Sequence, residues 1–291
     1  MAGRFAPSPS GPLHFGSLIA AVGSYLIAKS RHTEWLVRIE DIDPPREVTG
    51  ASDLILRQLE AFGLHWDGQV CYQSHHLDHY AEIIEQLKSQ GLIYACNCTR
   101  KKIKALSKTG YYPNICATKN LSFNGEVAIR LCHRQGDYSF VDKIQGPCQF
   151  DDSLYAEDFA IRRKDGLIAY QLAVVVDDIE QGIDHVVRGC DLLDSTPRQL
   201  RLYEAFKAKV PDWYHLPLAI NPDGNKLSKQ NHAPPIDSQQ ATKYLSRALE
   251  FLGQPIPSEL QHENPEAILG YALSHFQLPQ IPARQQILYL D

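Results

Sequence analysis

The first 94 residues repeat one pattern, a short apolar strand followed by a turn and a helix with one apolar face. A strand around Arg4–Ala6 runs into the rigid segment Pro7-Ser8-Pro9-Ser10-Gly11-Pro12, and a helical run follows from about Leu18 to Lys29. Trp35–Ile39 reads as a buried strand ending in Glu40-Asp41-Ile42-Asp43. Thr49–Phe62 sets Leu54, Ile55, Leu59 and Phe62 on one helical face. Leu77–Gln90 does the same with Tyr80, Ile83, Ile84 and Leu87, and Gly91 supplies the stop. Strand, helix, strand, helix in this order predicts an α/β fold built on a doubly wound parallel sheet.

The pattern changes after Tyr94. Cys96, Cys98 and Cys116 bracket a lysine-rich helical stretch, and residues 126–163 read as short strands at Val127–Leu131, Tyr138–Val141 and Phe159–Arg163. The strand rhythm returns with Ala173–Val176 and His185–Arg188. A helix opens at Thr196-Pro197, with Thr as N-cap and Pro as the first helical residue. Leu216–Ile220 is a further strand, and the tail from Ser238 is mostly helical. The expected layout is therefore an α/β unit over 1–94 and 171–237, an α+β insertion over 95–170, and a helical appendix over 238–291.

Charge and composition narrow the function classes. With 29 Lys and Arg against 34 Asp and Glu, the formal charge of −5 argues against a grip on nucleic acid through overall charge, although local basic stripes remain open. No stretch approaches the roughly 20 apolar residues of a membrane span. The start of the chain has no apolar signal region. Seven cysteines, an odd count, make a disulfide framework unexpected and point to a reducing, cytoplasmic compartment.

Two short strings carry the chemistry. His14-x-Gly16 lies between a strand and a helix, where unsatisfied backbone N–H groups and the helix dipole favour an anion. The glycine admits a phosphate or base close to the backbone, and the histidine is a donor for developing phosphate charge. Lys226-Leu227-Ser228-Lys229 follows a Pro-Asp-Gly turn, and two lysines on such a loop suit a transient clamp on a polyphosphate. Taken alone, each string is better read as an ordinary loop. Their order is what makes them specific.

In that order the chain resembles the class I aminoacyl-tRNA synthetases, with their His-x-Gly-His and Lys-Met-Ser-Lys-Ser signatures. The resemblance narrows to the glutamyl group through Arg4-Phe5-Ala6-Pro7-Ser8-Pro9-Ser10-Gly11-Pro12-Leu13-His14. It continues through Arg38-Ile39-Glu40-Asp41-Ile42-Asp43, Tyr72-Gln73-Ser74, Ala173–Asp178 and Arg188-Gly189-Cys190-Asp191. Ser17 stands where the second His would be, Leu227 and Gln230 depart from the lysine-loop pattern, and Cys190 stands where Glu is usual. About 60 residues follow the lysine loop, fewer than an anticodon-binding domain is expected to need. That truncation, with Asp41-Ile42-Asp43-Pro44-Pro45-Arg46, is similar to the glutamyl-queuosine tRNA(Asp) synthetases. A class I synthetase Rossmann-type sheet with an inserted zinc-containing subdomain is then implied.

The resemblance also implies roles. Glutamate would be held by Arg4, Ser8, Glu40, Tyr170 and Arg188, with Glu40 on the ammonium and Arg4 as a bidentate fork on a carboxylate. The structural alternatives are an internal Arg4–Glu40 ion pair and Arg188 capping a turn. ATP with Mg²⁺ would be held by His14, Gly16, Lys226 and Lys229, with His14, Lys226 and Lys229 as the catalytic residues. Cys96, Cys98 and Cys116 suggest a structural Zn²⁺ site that needs a fourth ligand. Cys132 and His133 are the candidates by chemistry, and Tyr112 is the one the resemblance implies. Arg100-Lys101-Lys102-x-Lys104 and Arg162-Arg163-Lys164 fit a tRNA backbone or a solvated face equally.

The implied activity is ATP-dependent activation of L-glutamate to glutamyl-adenylate, then transfer to the cyclopentenediol of queuosine in tRNA(Asp), by a monomeric cytoplasmic ligase. The alternatives are a different acceptor (a tRNA 3′ end, a carrier or a small molecule) and a non-catalytic remnant that binds glutamate or nucleotide.

Overall fold

The computed structural model describes residues 1–132, 136, 138–227 and 234–289. In chain order the strands are β1 (Ala2–Phe5), β2 (Glu34–Ile39), β3 (Cys71–Tyr72), β4 (Ile93–Cys96), β5 (Ala128–Leu131) and β6 (Phe140–Asp142). They continue with β7 (Gly146–Cys148), β8 (Ala160–Arg162), β9 (Ile183–Gly189), β10 (Asp212–Leu216), β11 (Leu218–Ile220) and β12 (Gln286–Leu288). The helices are α1 (Phe15–Ser30), α2 (Ala51–Ala61), α3 (Leu77–Ser89), α4 (Arg100–Leu106) and α5 (Asp152–Tyr155), then α6 (Tyr170–Glu180), α7 (Thr196–Phe206), α8 (Ala241–Phe251) and α9 (Pro265–Ser274).

Five strands form one sheet in the order β10-β9-β1-β2-β3, with every pairing parallel. The order reverses between β1 and β9, the switch point where open α/β sheets leave a crevice at their carboxyl edge. Side chains alternate across the sheet. Trp35, Val37, Val187, Tyr214 and Leu216 pack with α1, α2, α8 and α9 in one core. Leu36, Val186 and Trp213 pack with α3, α6 and α7 in the other. With a period of two, Arg4, Arg38, Arg188 and His215 must share the α6/α7 face.

Strands β4, β5 and β8 form a separate antiparallel sheet, and the hairpin β6-β7 packs against β10 of the parallel sheet. Gly91 ends α3 at φ +66°, a conformation only glycine adopts without cost.

Four details of the sequence reading change. Ala173–Val176 is the middle of α6, not a strand. The run is fully buried, so apolarity alone carried no helical period. Leu216–Ile220 is not one strand, because β10 ends at Leu216 and β11 begins at Leu218, split at Pro217, whose ring has no N–H to give a ladder. Thr196 is the first residue of α7 and Ser195 its N-cap, since the Thr196 hydroxyl is drawn instead to Arg188. The tail is not purely helical: β12 pairs in parallel with β11, and Tyr289 stacks on Phe15 at 4.2 Å.

Candidate active site

At the switch point lies a cleft of about 800 Å³ lined by Arg4, Ser8, His14, Gly16, Glu40, Tyr170, Arg188 and Lys226. Eight of the nine small-molecule-site residues nominated from sequence therefore share one cavity. The ninth, Lys229, lies outside the described residues, as do Ser228 and Gln230.

The residues arrive from separate elements. Arg4 is on β1, Glu40 directly follows β2, Arg188 is near the end of β9, and Tyr170 opens α6. His14 is the N-cap of α1. Its Nδ1 accepts from the Ser17 backbone N–H at 3.2 Å, which leaves the ring proton on Nε2, 3.0 Å from Ser17 Oγ. Ser17, the departure from the His-x-Gly-His string, thus braces the histidine. Gly16 is required by packing, because a Cβ there would lie 2.8 Å from the Leu227 carbonyl oxygen and 3.2 Å from the His14 ring. The lysine loop therefore rests on the helix N-terminus. Lys226 Nζ pairs with Asp191, itself a cleft residue.

The electrostatics are set by a buried cluster. Arg4 does not pair with Glu40, and its fork is not open. Nε and Nη2 bind both oxygens of Asp178 at 2.9 and 3.1 Å. Arg38 Nη1 meets the same carboxylate at 2.8 Å, and its Nη2 lies 3.6 Å from Glu40. The two guanidiniums hold the Asp178 carboxyl below its usual range despite burial. Arg4, Arg38, Asp177, Asp178 and Glu40 together carry two cations and three carboxylates. Glu40 Oε1 is buried without a hydrogen-bond partner, and burial pushes its carboxyl up to about 7 even with Arg38 and Arg4 nearby.

Arg188 is the converse. It is 5% exposed and among the described residues has no carboxylate partner. It donates to His215 Nε2 at 3.0 Å, Gln199 Oε1 at 2.8 Å, Thr196 Oγ1 at 2.8 Å and, more distantly, the Tyr170 hydroxyl at 3.5 Å. Four neutral acceptors orient the cation and leave it unneutralised. It does not merely cap a turn. The cleft thus offers, at Arg188, a cation with no carboxylate partner among the described residues and, at Glu40, a carboxyl oxygen with no hydrogen-bond partner. Asp178, Arg38, His215 and Gln199 were not nominated from sequence. Asp178 and Arg38 lay inside quoted motifs, whereas nothing local marks His215 or Gln199.

Away from the cleft, Cys96, Cys98 and Cys116 are buried with their sulfur atoms within 4.8 Å of one another, placed to hold a metal ion. Cys98 and Cys116 are 3.6 Å apart, close to the ~3.8 Å edge of a tetrahedron with Zn–S bonds of about 2.3 Å. The Tyr112 hydroxyl sits 3.3 Å from Cys96 Sγ and accepts from the Cys116 backbone N–H at 2.8 Å. Cys132 packs at the margin, outside the three-sulfur group, and His133 lies outside the described residues. Of the basic clusters, Arg163 is paired with Asp43 and Asp165, while Arg100, Lys101, Lys102 and Lys104 on α4 are exposed. Among the described residues no helix is long and apolar enough to cross a membrane.

Residues 1–250 match the family described as tRNA synthetases class I (E and Q), catalytic domain. Two curated relatives, both called glutamyl-Q tRNA(Asp) synthetase, extend the likeness over nearly the whole chain. That of Pectobacterium atrosepticum is 51% identical over 285 residues, covering 98% of this chain and 88% of the relative. That of Serratia proteamaculans is 52% identical over 285 residues, covering 98% and 93%. The fold is shared with a glutamate tRNA ligase from Elizabethkingia meningosepticum at TM-score 0.78 and 24% identity, covering 98% of this chain and 66% of that one. It is shared also with a glutamate-tRNA synthetase from Elizabethkingia anophelis at TM-score 0.81 and 23% identity, covering 99% and 68%. This chain spans about two thirds of the length of those two solved enzymes. With the switch-point cleft, the collinear motifs and this identity, the chain belongs to the class I tRNA synthetase family of glutamyl and glutaminyl enzymes, within the group of the glutamyl-Q tRNA(Asp) synthetases.

Proposed function

We propose that this chain activates L-glutamate with ATP and passes it to the cyclopentenediol of queuosine at the wobble position of tRNA(Asp). The observation that carries the glutamate reading is that one cleft holds both a buried Arg188 with no carboxylate partner among the described residues and a Glu40 oxygen with no hydrogen-bond partner. A buried arginine with only neutral acceptors is complementary to a carboxylate, and a carboxyl oxygen free of hydrogen bonds to an ammonium. Arg188 with the Tyr170 hydroxyl would take one carboxylate, Glu40 the ammonium, and Ser8 with the remaining Arg4 donors the rest. Acceptor identity follows the relatives' name, since no feature of the cleft selects queuosine.

Activation is attack of a glutamate α-carboxylate oxygen on the α-phosphorus of ATP, with the bond to pyrophosphate breaking. Transfer is attack of a queuosine hydroxyl on the activated carbonyl, with AMP leaving. The chain contributes positioning and donors for developing phosphate charge. His14 and the N-terminus of α1 face the cleft, and Lys226 would exchange Asp191 for a phosphate. Lys229 is assigned the same task, and its loss should cost about 10²–10³ in rate. Mg²⁺ bound with ATP would supply charge neutralisation on the phosphates. Zn²⁺ on Cys96, Cys98, Cys116 and Tyr112 would be structural, bracing an insertion over 95–170 that faces the tRNA. A soluble, reducing cytoplasm suits seven free thiols.

The test is ATP–pyrophosphate exchange with glutamate, without tRNA, followed by charging of tRNA prepared with and without queuosine. Exchange, plus label that survives periodate treatment of the 3′ end and vanishes without queuosine, supports the reading. Equal charging of both tRNA pools overturns the acceptor, and absence of exchange overturns the activation.

A further inference from the structure

Behind Arg188 lies a polar arrangement that no motif accounts for. His215, on β10, is wholly buried between Arg188 and Asp142, and Asp142 closes the β6 strand. Asp142 Oδ2 lies 2.6 Å from His215 Nδ1, and His215 Nε2 lies 3.0 Å from Arg188 Nε. An arginine Nε–H only donates, so Nε2 must accept. The ring proton is then on Nδ1, and Asp142 receives it. The imidazole is boxed by Trp213 and Phe140 at ring separations of 6.5 and 6.2 Å, and the Arg188 guanidinium lies 5.0 Å over Trp213. Burial, with Arg188 beside it, holds the His215 imidazolium down to about 4, so the ring stays neutral.

We propose that Asp142 and His215 form a positioning relay, in which Asp142 fixes the His215 tautomer so that the imidazole orients Arg188 toward the substrate carboxylate without neutralising it. A carboxylate in direct contact would orient Arg188 equally well and would compete with the substrate. An imidazole acceptor avoids that competition, and the balancing anion sits one ring further away. Of the five N–H groups on Arg188, Nε–H and one on each terminal nitrogen are held by His215, Gln199 and Thr196. The substrate is left the second Nη2 N–H and the Nη1 N–H that otherwise reaches the Tyr170 hydroxyl at 3.5 Å, on a guanidinium that cannot rotate.

The sharpest perturbation is Asp142→Asn, which barely changes shape. Asp142 Oδ1 accepts from the backbone N–H groups of Ile144, Gln145 and His215 at 2.9, 2.9 and 3.2 Å. In the asparagine that place must stay an oxygen, so the amide NH₂ faces His215 Nδ1. The ring then moves its proton to Nε2, donor against donor with Arg188. The inference rests on the glutamate reading, and its test separates the two. By ¹⁵N NMR, wild-type His215 should carry the Nδ1–H tautomer and the variant the Nε2–H form. In ATP–pyrophosphate exchange the variant should raise KM for glutamate about 10- to 100-fold, the cost of a buried charged donor left unpaired, with KM for ATP within twofold. His215→Phe should match it, and His215→Gln, which keeps an acceptor, should recover part of the loss. A wild-type Nε2–H tautomer, an unchanged glutamate KM in Asp142→Asn, or equal rises for glutamate and ATP would each overturn the relay. Absence of exchange in the wild type would instead remove the glutamate reading, and the wild-type and variant tautomers would then decide the relay by themselves.

Discussion

Replacing Asp178 with asparagine should damage this protein more than any change of similar size on its surface. Asp178 is buried on α6 and receives Arg4 through both oxygens and Arg38 through one. Asparagine keeps the volume but removes the charge and turns one acceptor into a donor facing a guanidinium. Two buried arginines would then share Asp177 and Glu40, neither of which lies as close to them. Breaking a buried ion pair by removing one partner costs about 3–5 kcal/mol. At about 2.1 cal/mol/K per residue, a chain of 291 residues has an unfolding entropy of about 0.6 kcal/mol/K, so the expected fall in Tm is roughly 5–8 °C. Circular dichroism on heating, at fixed pH and protein concentration, measures it. Glu85→Gln is the control, since the Glu85–Lys88 pair is exposed and should be worth no more than a few tenths of a kcal/mol. A Tm fall below about 2 °C for Asp178→Asn would refute the view that this carboxylate holds the two arginines in place.

Three further outcomes follow from the same geometry. The folded state keeps a proton on Glu40 up to about 7, whereas the unfolded chain releases it near 4.5. Stability should therefore fall as pH rises through that window, by on the order of 3 kcal/mol from this group, while glutamate KM also falls as the carboxylate forms. Glu40→Gln should flatten the stability profile and abolish the gain in affinity, and parallel profiles in variant and wild type would refute the assignment. Metal analysis of protein purified without chelator should find about one zinc per chain, lost in Cys116→Ser and bound at least about tenfold more weakly in Tyr112→Phe; finding no stoichiometric zinc would remove the site. Converting Lys101, Lys102 and Lys104 to serine should lower the salt slope of tRNA binding by about 2–3 without changing ATP–pyrophosphate exchange, and an unchanged slope would place the tRNA elsewhere.

Much of this was legible in the residues themselves. The alternation of strand and helix over the first 94 residues prescribes a parallel sheet, because each helix has one apolar face to lay on it. The expected helix Leu77–Gln90 is realised as Leu77–Ser89, with Gly91 as its terminator. Most of the nominated cleft residues converge because they sit at the carboxyl end of a strand (Arg4, Glu40, Arg188) or the start of a helix (His14, Gly16, Tyr170), while Ser8 and Lys226 come from loops, and Tyr170 was marked by the resemblance, not by local pattern. The cysteine cluster was likewise visible as spacing before it was visible as distance.

What tertiary structure alone decided is which charge faces which. Residues 173–176 are equally apolar as strand or helix, and only burial on all sides by neighbouring elements makes them the middle of α6. Arg4 meets Asp178 across 174 positions, and His215 meets Asp142 across 73. Local periodicity is short-ranged, reaching a turn of helix or a pair of strand residues. In a low-dielectric interior, by contrast, the free energy of a charge depends on partners delivered by other elements. The sequence therefore determined the sheet, the cleft and the chemistry gathered around it. Only the folded chain determined that Arg4 is paired with Asp178, that Glu40 Oε1 has no hydrogen-bond partner, and that Arg188 is buried among neutral acceptors.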